Sequence, residues 1–142
     1  MKFALTQKVA TFALVAAAAI PLHLSQEIDF VWTVIFIGLY VIGWFVEAPL
    51  TRELRLRRTI TVIVFVILAL QIGLFLLGAP MARLGMEFAV AILGLKMCSR
   101  GYSADYYQIV ILAFLHVIAA TVATDDLSYA VSFIIFVSLS LV

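Results

Sequence analysis

The sequence predicts an all-α protein: a polytopic membrane helix bundle with about six transmembrane helices and a cytoplasmic N-terminus. Three observations predict this fold class, namely an apolar composition, six apolar segments close to membrane length, and an alternation of charge between those segments. Of the 142 residues, 66% are hydrophobic and 12% are charged, whereas soluble domains are typically about 45–50% apolar and about 25% charged. A chain of this length cannot cover so much apolar surface in water, so we expect lipid to surround most of it.

Six apolar segments follow one another with short connections. A helix needs about 20 apolar residues to cross a hydrocarbon core about 30 Å thick. The predicted helices span residues 5–24, 29–46, 59–77, 81–98, 106–123 and 127–142, and we expect one transmembrane helical domain over residues 1–142. The last segment is short for a full crossing and no basic residue follows it. We therefore expect the chain to be the front part of a longer protein.

The charged residues of the connections predict the orientation of the helices. Basic residues flank the N-terminus and recur in the second and fourth connections, whereas the first and fifth are acidic and the third has only Arg83. Lys and Arg concentrate in cytoplasmic loops, which places the N-terminus and the second and fourth connections in the cytoplasm. The residues that carry this pattern are Lys2, Lys8, Glu27, Asp29, Arg52, Arg55, Arg57, Arg58, Lys96, Arg100, Asp125 and Asp126.

Several classes of function are disfavoured by composition and motifs. The net charge of +1 and the scattered bases do not provide a nucleic-acid surface. The single cysteine, Cys98, excludes an internal disulfide framework. We find no metal-ligand spacing, phosphate loop or nucleophile elbow. The sequence thus predicts no catalytic, cofactor-binding or metal-binding residue, and its expected partners are the lipid bilayer and other membrane helices.

Glu87 is the most unusual residue of the predicted helices, because an ionised carboxylate inside a membrane helix costs roughly 2–3 kcal/mol. Arg83 precedes it by four residues and lies on the same helix face. The favoured interpretation is an Arg–Glu pair whose charged ends reach the outer membrane surface. A buried anchor that holds helices in register is the second interpretation, and a proton or ion site is the third.

The connection after the fourth segment contains Lys96, Arg100 and Asp105, with Tyr106 beginning the next segment. Lys96 lies about 180° around an ideal helix from Glu87, so these two residues cannot pair on one helix face. We interpret Lys96 as a cytoplasmic flank and Asp105 as a cap of the next helix, where its charge suits the helix dipole. Tyr106 is expected at the level of the lipid headgroups.

His116 lies near the middle of the fifth segment, and Gln71 lies within the third. An ionisable group at the membrane midplane is a functional candidate by default. The favoured interpretation for both residues is nevertheless a hydrogen bond to a neighbouring helix, which is a common use of such side chains. A proton relay at His116 is the alternative.

The region from about residue 84 to 136 resembles the N-terminal membrane region of bacterial membrane-anchored transglutaminase-like proteins of the TgpA type. The shared pattern is an intramembrane Glu, a Leu-Lys pair about eight to nine residues later, a basic turn, an Asp just before the next helix, and an acidic loop before a Ser-Tyr-rich segment. Cys98 and Ser99 stand where the family often has a further Glu. The matching residues are Glu87, Leu95, Lys96, Arg100, Asp105, Asp125, Asp126, Leu127, Ser128 and Tyr129.

The resemblance implies a location in the bacterial inner membrane and an extracytoplasmic domain with a Cys-His-Asp arrangement, which acts by acyl transfer. Cys98 is not that cysteine, because it lies on the predicted cytoplasmic side, and at least one further helix after Val142 would be needed to reach the other side. The expected function is therefore a non-catalytic membrane anchor or scaffold. An accessory subunit of a larger membrane complex, or a small transporter using Glu87, Gln71 and His116, are the alternatives.

Overall fold

The computed structural model describes residues 2–25, 28–46, 54–100, 103–123 and 127–140, and throughout these ranges the regular structure is helical. The all-α prediction is confirmed. Three of the helices contain stretches long and apolar enough to cross a membrane, namely Leu5–Leu24, Arg55–Leu76 and Ala104–Thr121. The described helices are α1 (Lys2–Leu24), α2 (Phe30–Phe45), α3 (Leu54–Leu76), α4 (Met81–Cys98), α5 (Ser103–Ala123) and α6 (Leu127–Ser140).

The helix bounds lie within a few residues of the predicted segments, with two informative differences. Helix α3 begins at Leu54 rather than at residue 59, because the intervening arginines are good helix formers and continue the helix into its polar end. Helix α5 begins at Ser103 rather than at residue 106. Some residues used to predict orientation and family lie outside the described ranges, namely Glu27, Arg52, Asp125, Asp126 and Val142.

The chain divides into two compact units. Unit 1 comprises Met1–Glu27 and Tyr106–Val142, and in it α1 packs against α6. Unit 2 comprises Ile28–Asp105, and in it α4 packs against both α2 and α3. The charged residues that the sequence singled out lie mainly in unit 2, whereas Tyr106 and His116 lie in unit 1.

Unit 1 has a buried interior of small and branched side chains. On α1 the buried residues include Val15, Ala18 and Leu22, each with no exposed surface. Between α5 and α6 the rings of Phe114 and Phe136 stack with their centroids 6.3 Å apart. Small side chains on α1 permit close approach of a neighbouring helix, which is how helices associate where water supplies no hydrophobic driving force.

In unit 2, a tight turn joins α3 to α4. Gly78 has a positive φ of 95°, a conformation that glycine adopts without steric cost. Its N–H donates to the carbonyl of Phe75 at 2.9 Å, and the N–H of Ala79 donates to the carbonyl of Leu74 at 3.1 Å. This is the Schellman arrangement that closes a helix C-terminus. Pro80 then precedes α4, so that α3 and α4 are antiparallel neighbours.

Helices α2 and α4 lie parallel, because their N-terminal ends meet and their C-terminal ends meet. Asp29 contacts Arg83 at one end, while Gly43 lies against Met97 at the other. A Cβ atom added at Gly43 would lie 2.9 Å from the backbone oxygen of Met97. The absent side chain of Gly43 is therefore what allows the two backbones to approach so closely.

Helix α3 exposes most of its apolar surface. Along its length, Phe65 is 65% exposed and Leu76 is 79% exposed. A monomeric protein in water rarely shows contiguous apolar surface of this extent. A 22-residue apolar helix of this kind, about 33 Å long, matches the hydrocarbon thickness of a bilayer.

The close contact at Gly43 leads to a stability prediction. Gly43→Ala places a methyl group against the Met97 backbone, which cannot rotate away as a side chain can, so α2 and α4 must separate. We expect a loss of about 1–3 kcal/mol in the free energy of unfolding. The measurement is unfolding of the detergent-solubilised protein, followed by circular dichroism.

Gly38→Ala is the matched control, since Gly38 also lies in α2 and an added Cβ there meets nothing within 4 Å. We expect this variant to match or slightly exceed the wild-type stability, because alanine favours helix. Equal stability of the two variants would contradict the parallel packing of α2 on α4.

Candidate functional site: two charge clusters at the ends of helix α4

The first cluster, the N-terminal charge cluster, consists of Asp29, Arg83 and Glu87. The Nε of Arg83 donates to the Oε1 of Glu87 at 3.1 Å, one helical turn away on α4. A terminal nitrogen of the same guanidinium contacts the carboxylate of Asp29 at the start of α2. The cluster therefore ties the N-terminal ends of α2 and α4 together through one guanidinium.

The burial of these three residues differs strongly. Glu87 is only 3% exposed, whereas the side chains of Arg83 and Asp29 are 41% and 58% exposed. The predicted Arg83–Glu87 pair is present, and it combines features of two interpretations. Arg83 keeps part of its side chain exposed, as a snorkelling residue does, and contacts Asp29 at the start of α2. Glu87 is a buried group held by its partner.

The second cluster, the C-terminal charge cluster, consists of Lys96, Arg100 and Asp105. The Nζ of Lys96 donates to the Oδ1 of Asp105 at 3.2 Å. Asp105 is 3% exposed and lies in the first turn of α5, while Lys96 lies in the last turn of α4. Each charge thus lies at the helix end whose dipole favours it.

This pair revises two predictions. Lys96, predicted to be a cytoplasmic flank, also binds a buried carboxylate nine residues later. Asp105 is not the residue preceding the helix, since α5 already begins at Ser103. Lys96 and Glu87 cannot pair on one face of α4. The partner of Lys96 instead lies across the connection, in the next helix.

Arg100 lies just beyond α4 and is 6% exposed. Its Nε donates to the carbonyl of Met97 at 2.9 Å, and its Nη2 donates to the carbonyl of Gly43 at 2.5 Å. Both carbonyls belong to the last turn of a helix, where intrahelical partners are missing. Because α2 and α4 are parallel, their C-terminal carbonyls lie together and one forked guanidinium can serve both.

Cys98 adds a neutral link at this same end. Its Sγ donates to the carbonyl of Leu39 on α2 at 3.2 Å. Nearby, a Cβ added at Gly94 would come within 2.9 Å of the Leu39 side chain. The cysteine is thus a packing and hydrogen-bonding residue of the α2–α4 interface.

His116 is fully buried in unit 1. Its Nδ1 donates to the carbonyl of Leu112, one turn earlier on the same helix, at 2.8 Å. Nε2 has no hydrogen-bond partner within the described residues. The expected bond to a neighbouring helix is therefore not seen there, and the buried residues beside His116 on α5 include Ile109, Ala113 and Ala120.

Gln71 on α3 is 5% exposed, and neither its amide nitrogen nor its amide oxygen has a hydrogen-bond partner in the part of the chain that the structure describes. The expected hydrogen bond from Gln71 to a neighbouring helix is not seen within this part of the chain. The side chain instead lines a pocket between α3 and α4. Tyr106, the remaining predicted site residue, is half-buried near the start of α5.

The described residues contain no group of three or more His, Cys, Asp and Glu side chains that could hold a metal ion. The charged side chains of the two clusters contact one another or backbone carbonyls at helix ends, and the two clusters lie at opposite ends of α4. What this arrangement can do chemically is to neutralise buried charge and to fix the positions of α2, α4 and the start of α5.

Comparisons with protein-family models, with curated proteins and with solved structures give no match to this chain.

The N-terminal charge cluster predicts unequal costs for the loss of its members. Arg83→Leu leaves the buried Glu87 carboxylate without its partner, and we expect a loss of about 1–3 kcal/mol in the free energy of unfolding. Asp29→Asn removes an exposed charge, for which we expect less than about 1 kcal/mol. Both losses can be measured by denaturant or thermal unfolding of the protein in detergent.

The double variant Arg83→Leu with Glu87→Leu tests the reason for that cost. It removes both charges together, so we expect it to recover most of the stability that Arg83→Leu loses. Additive losses in the double variant would show that the pair is not what determines the cost.

Proposed function

We propose that this chain is a multi-pass helical anchor and scaffold of the bacterial inner membrane, with no catalytic residue of its own. The single observation that carries the proposal is the use of the charges in unit 2. Glu87, Lys96, Arg100 and Asp105 each contact another charge or a helix end. Side chains engaged in this way hold helices in position, and a charged residue buried in lipid needs such partners.

A further observation supports a membrane crossing for all the helices of unit 2. The parallel pair α2 and α4 is joined through the antiparallel helix α3, as expected for three successive crossings. The basic residues Arg55, Arg57 and Arg58 begin α3, and therefore lie at the same end of the unit as Lys96 and Arg100. Under the positive-inside rule that end is cytoplasmic.

Helix α4 is the one whose crossing depends most on its contacts. Its 18 residues include Arg83, Glu87 and Lys96, so its composition alone does not favour lipid. The pairing of these charges, together with burial of one face against α2, lowers the cost of placing α4 in the membrane.

The proposal extends to the family that the sequence resembles. A transglutaminase-like protein would use this region to hold an extracytoplasmic Cys-His-Asp domain at the membrane. Lys96 and Asp105 both belong to the pattern shared with that family, and their pairing gives them a common physical role, which is to join α4 to the start of α5. The family assignment itself depends on the sequence pattern.

Reporter fusions test the topology. Alkaline phosphatase fused after residues 26, 79 or 125 should be active, and fused after residues 53 or 101 it should be inactive, because only the first group lies outside the cytoplasm in the proposed arrangement. A green fluorescent protein series at the same positions should give the opposite pattern. The same reporter result at positions 79 and 101 would contradict the crossing of α4.

The family assignment is tested by the reading frame after Val142. We expect a further transmembrane segment and then a domain that contains Cys, His and Asp in catalytic geometry, with thiol-dependent acyl transfer in the full-length protein. Cys98→Ser is the control and should retain that activity. A reading frame that ends within a few codons of Val142 would contradict the assignment and leave the scaffold proposal standing.

A further inference from the structure

The pocket between α3 and α4 combines an apolar lining with one buried polar group. Its volume is about 240 Å³, which is larger than the engineered cavity of about 150 Å³ that binds benzene. Gln71 supplies the polar group, and Gly85 forms part of the opposite wall. The other lining side chains are apolar: Leu68, Ile72, Phe75, Met81, Leu84 and Phe88.

The amide of Gln71 is the feature that identifies what the pocket binds. The residue is only 5% exposed, and within the described residues neither the amide nitrogen nor the amide oxygen has a hydrogen-bond partner. A buried amide without hydrogen bonds costs about 1–3 kcal/mol. An occupant that offers both an acceptor and a donor would remove this cost.

Water is a poor occupant for this position. An ordered buried water needs two to four polar partners, and among the described residues that line the pocket Gln71 has the only polar side chain. The lining extends over two turns of each helix, from residue 68 to 75 and from 81 to 88, about 10 Å along the helix axes, so it suits an alkyl chain.

The position of Gln71 along α3 points to the same kind of molecule. The residue lies five positions before Leu76, about 8 Å from the end of the helix. In the membrane orientation proposed above, the polar end of an amphiphile can reach this depth from the outer surface while its alkyl chain extends along the pocket wall. Gln71 would then receive a hydrogen bond and donate one.

We infer that the α3–α4 pocket binds a single-chain amphiphile whose polar group both donates and accepts a hydrogen bond. Fatty alcohols, primary fatty amides and protonated fatty acids share this chemistry. The inference goes beyond the scaffold function, although it uses the same membrane placement. An ordinary ester or ether lipid only accepts hydrogen bonds, so it satisfies the amide nitrogen of Gln71 and leaves the amide oxygen without a partner.

The test uses the full chain in lipid nanodiscs and a long-chain alcohol that carries a photoreactive diazirine. We expect the label on peptides that contain residues 68–75 and 81–88. The unlabelled alcohol should compete about tenfold better than its methyl ether of equal chain length, because one hydrogen bond at a buried amide separates them. Equal competition by the alcohol and the ether would overturn the inference, and this measurement needs no variant.

Two leucine substitutions locate the site. Gly85→Leu fills the pocket, because an added Cβ there meets nothing within 4 Å and the residue lines the wall; we expect labelling to fall at least tenfold. Gly73→Leu is the matched control, since its Cβ position is equally open but lies on the opposite face of α3 from Gln71. Labelling should be unchanged in Gly73→Leu, and equal labelling of both variants would place the probe elsewhere.

Gln71→Leu separates the polar from the apolar contribution. We expect the affinity for the alcohol to fall more than that for the ether, because the alcohol loses two hydrogen bonds and the ether loses one, so that the tenfold preference for the alcohol disappears. A preference for the alcohol that persists in Gln71→Leu would overturn the inference. The topology fusions report separately, so failure of membrane crossing and failure of amphiphile binding give different results.

Discussion

The burial of charge is the constraint on which unit 2 depends. Placing a carboxylate such as that of Glu87 in a low-dielectric interior without a partner is costly. Arg83 provides that partner one turn away and, through its second contact with Asp29, also reaches α2. The guanidinium that neutralises the buried carboxylate of Glu87 therefore also fixes the position of α2.

A second consequence follows from the parallel arrangement of α2 and α4. Parallel helices place their unpaired C-terminal carbonyls side by side, which is unfavourable unless a donor lies between them. Arg100 supplies this donor for Gly43 and Met97, and the missing side chain at Gly43 makes the short separation possible. The close approach of the two backbones and the hydrogen bonds of Arg100 therefore occur together at this end of the helix pair.

Gln71 stands in contrast to these satisfied charges. Its amide is nearly as buried as Glu87 but finds no partner within the described residues, although helix α4 lies beside it. The difference is chemical, because α4 presents only apolar side chains and Gly85 to that pocket. An unsatisfied amide in an otherwise well-paired unit is more informative about a ligand than a charged residue whose partners are already in place.

The sequence by itself determined the helical class and nearly all the helix positions, because apolar segments with polar connections leave few alternatives in either lipid or a packed interior. It also determined the Arg83–Glu87 pair, since residues four apart share a helix face. Only the tertiary structure paired Lys96 with Asp105, linked Arg100 to Gly43, and left Gln71 without a partner among the described residues. These features depend on which helices become neighbours and in what register, and helical periodicity within one segment carries no information about a contact 57 residues away in the chain.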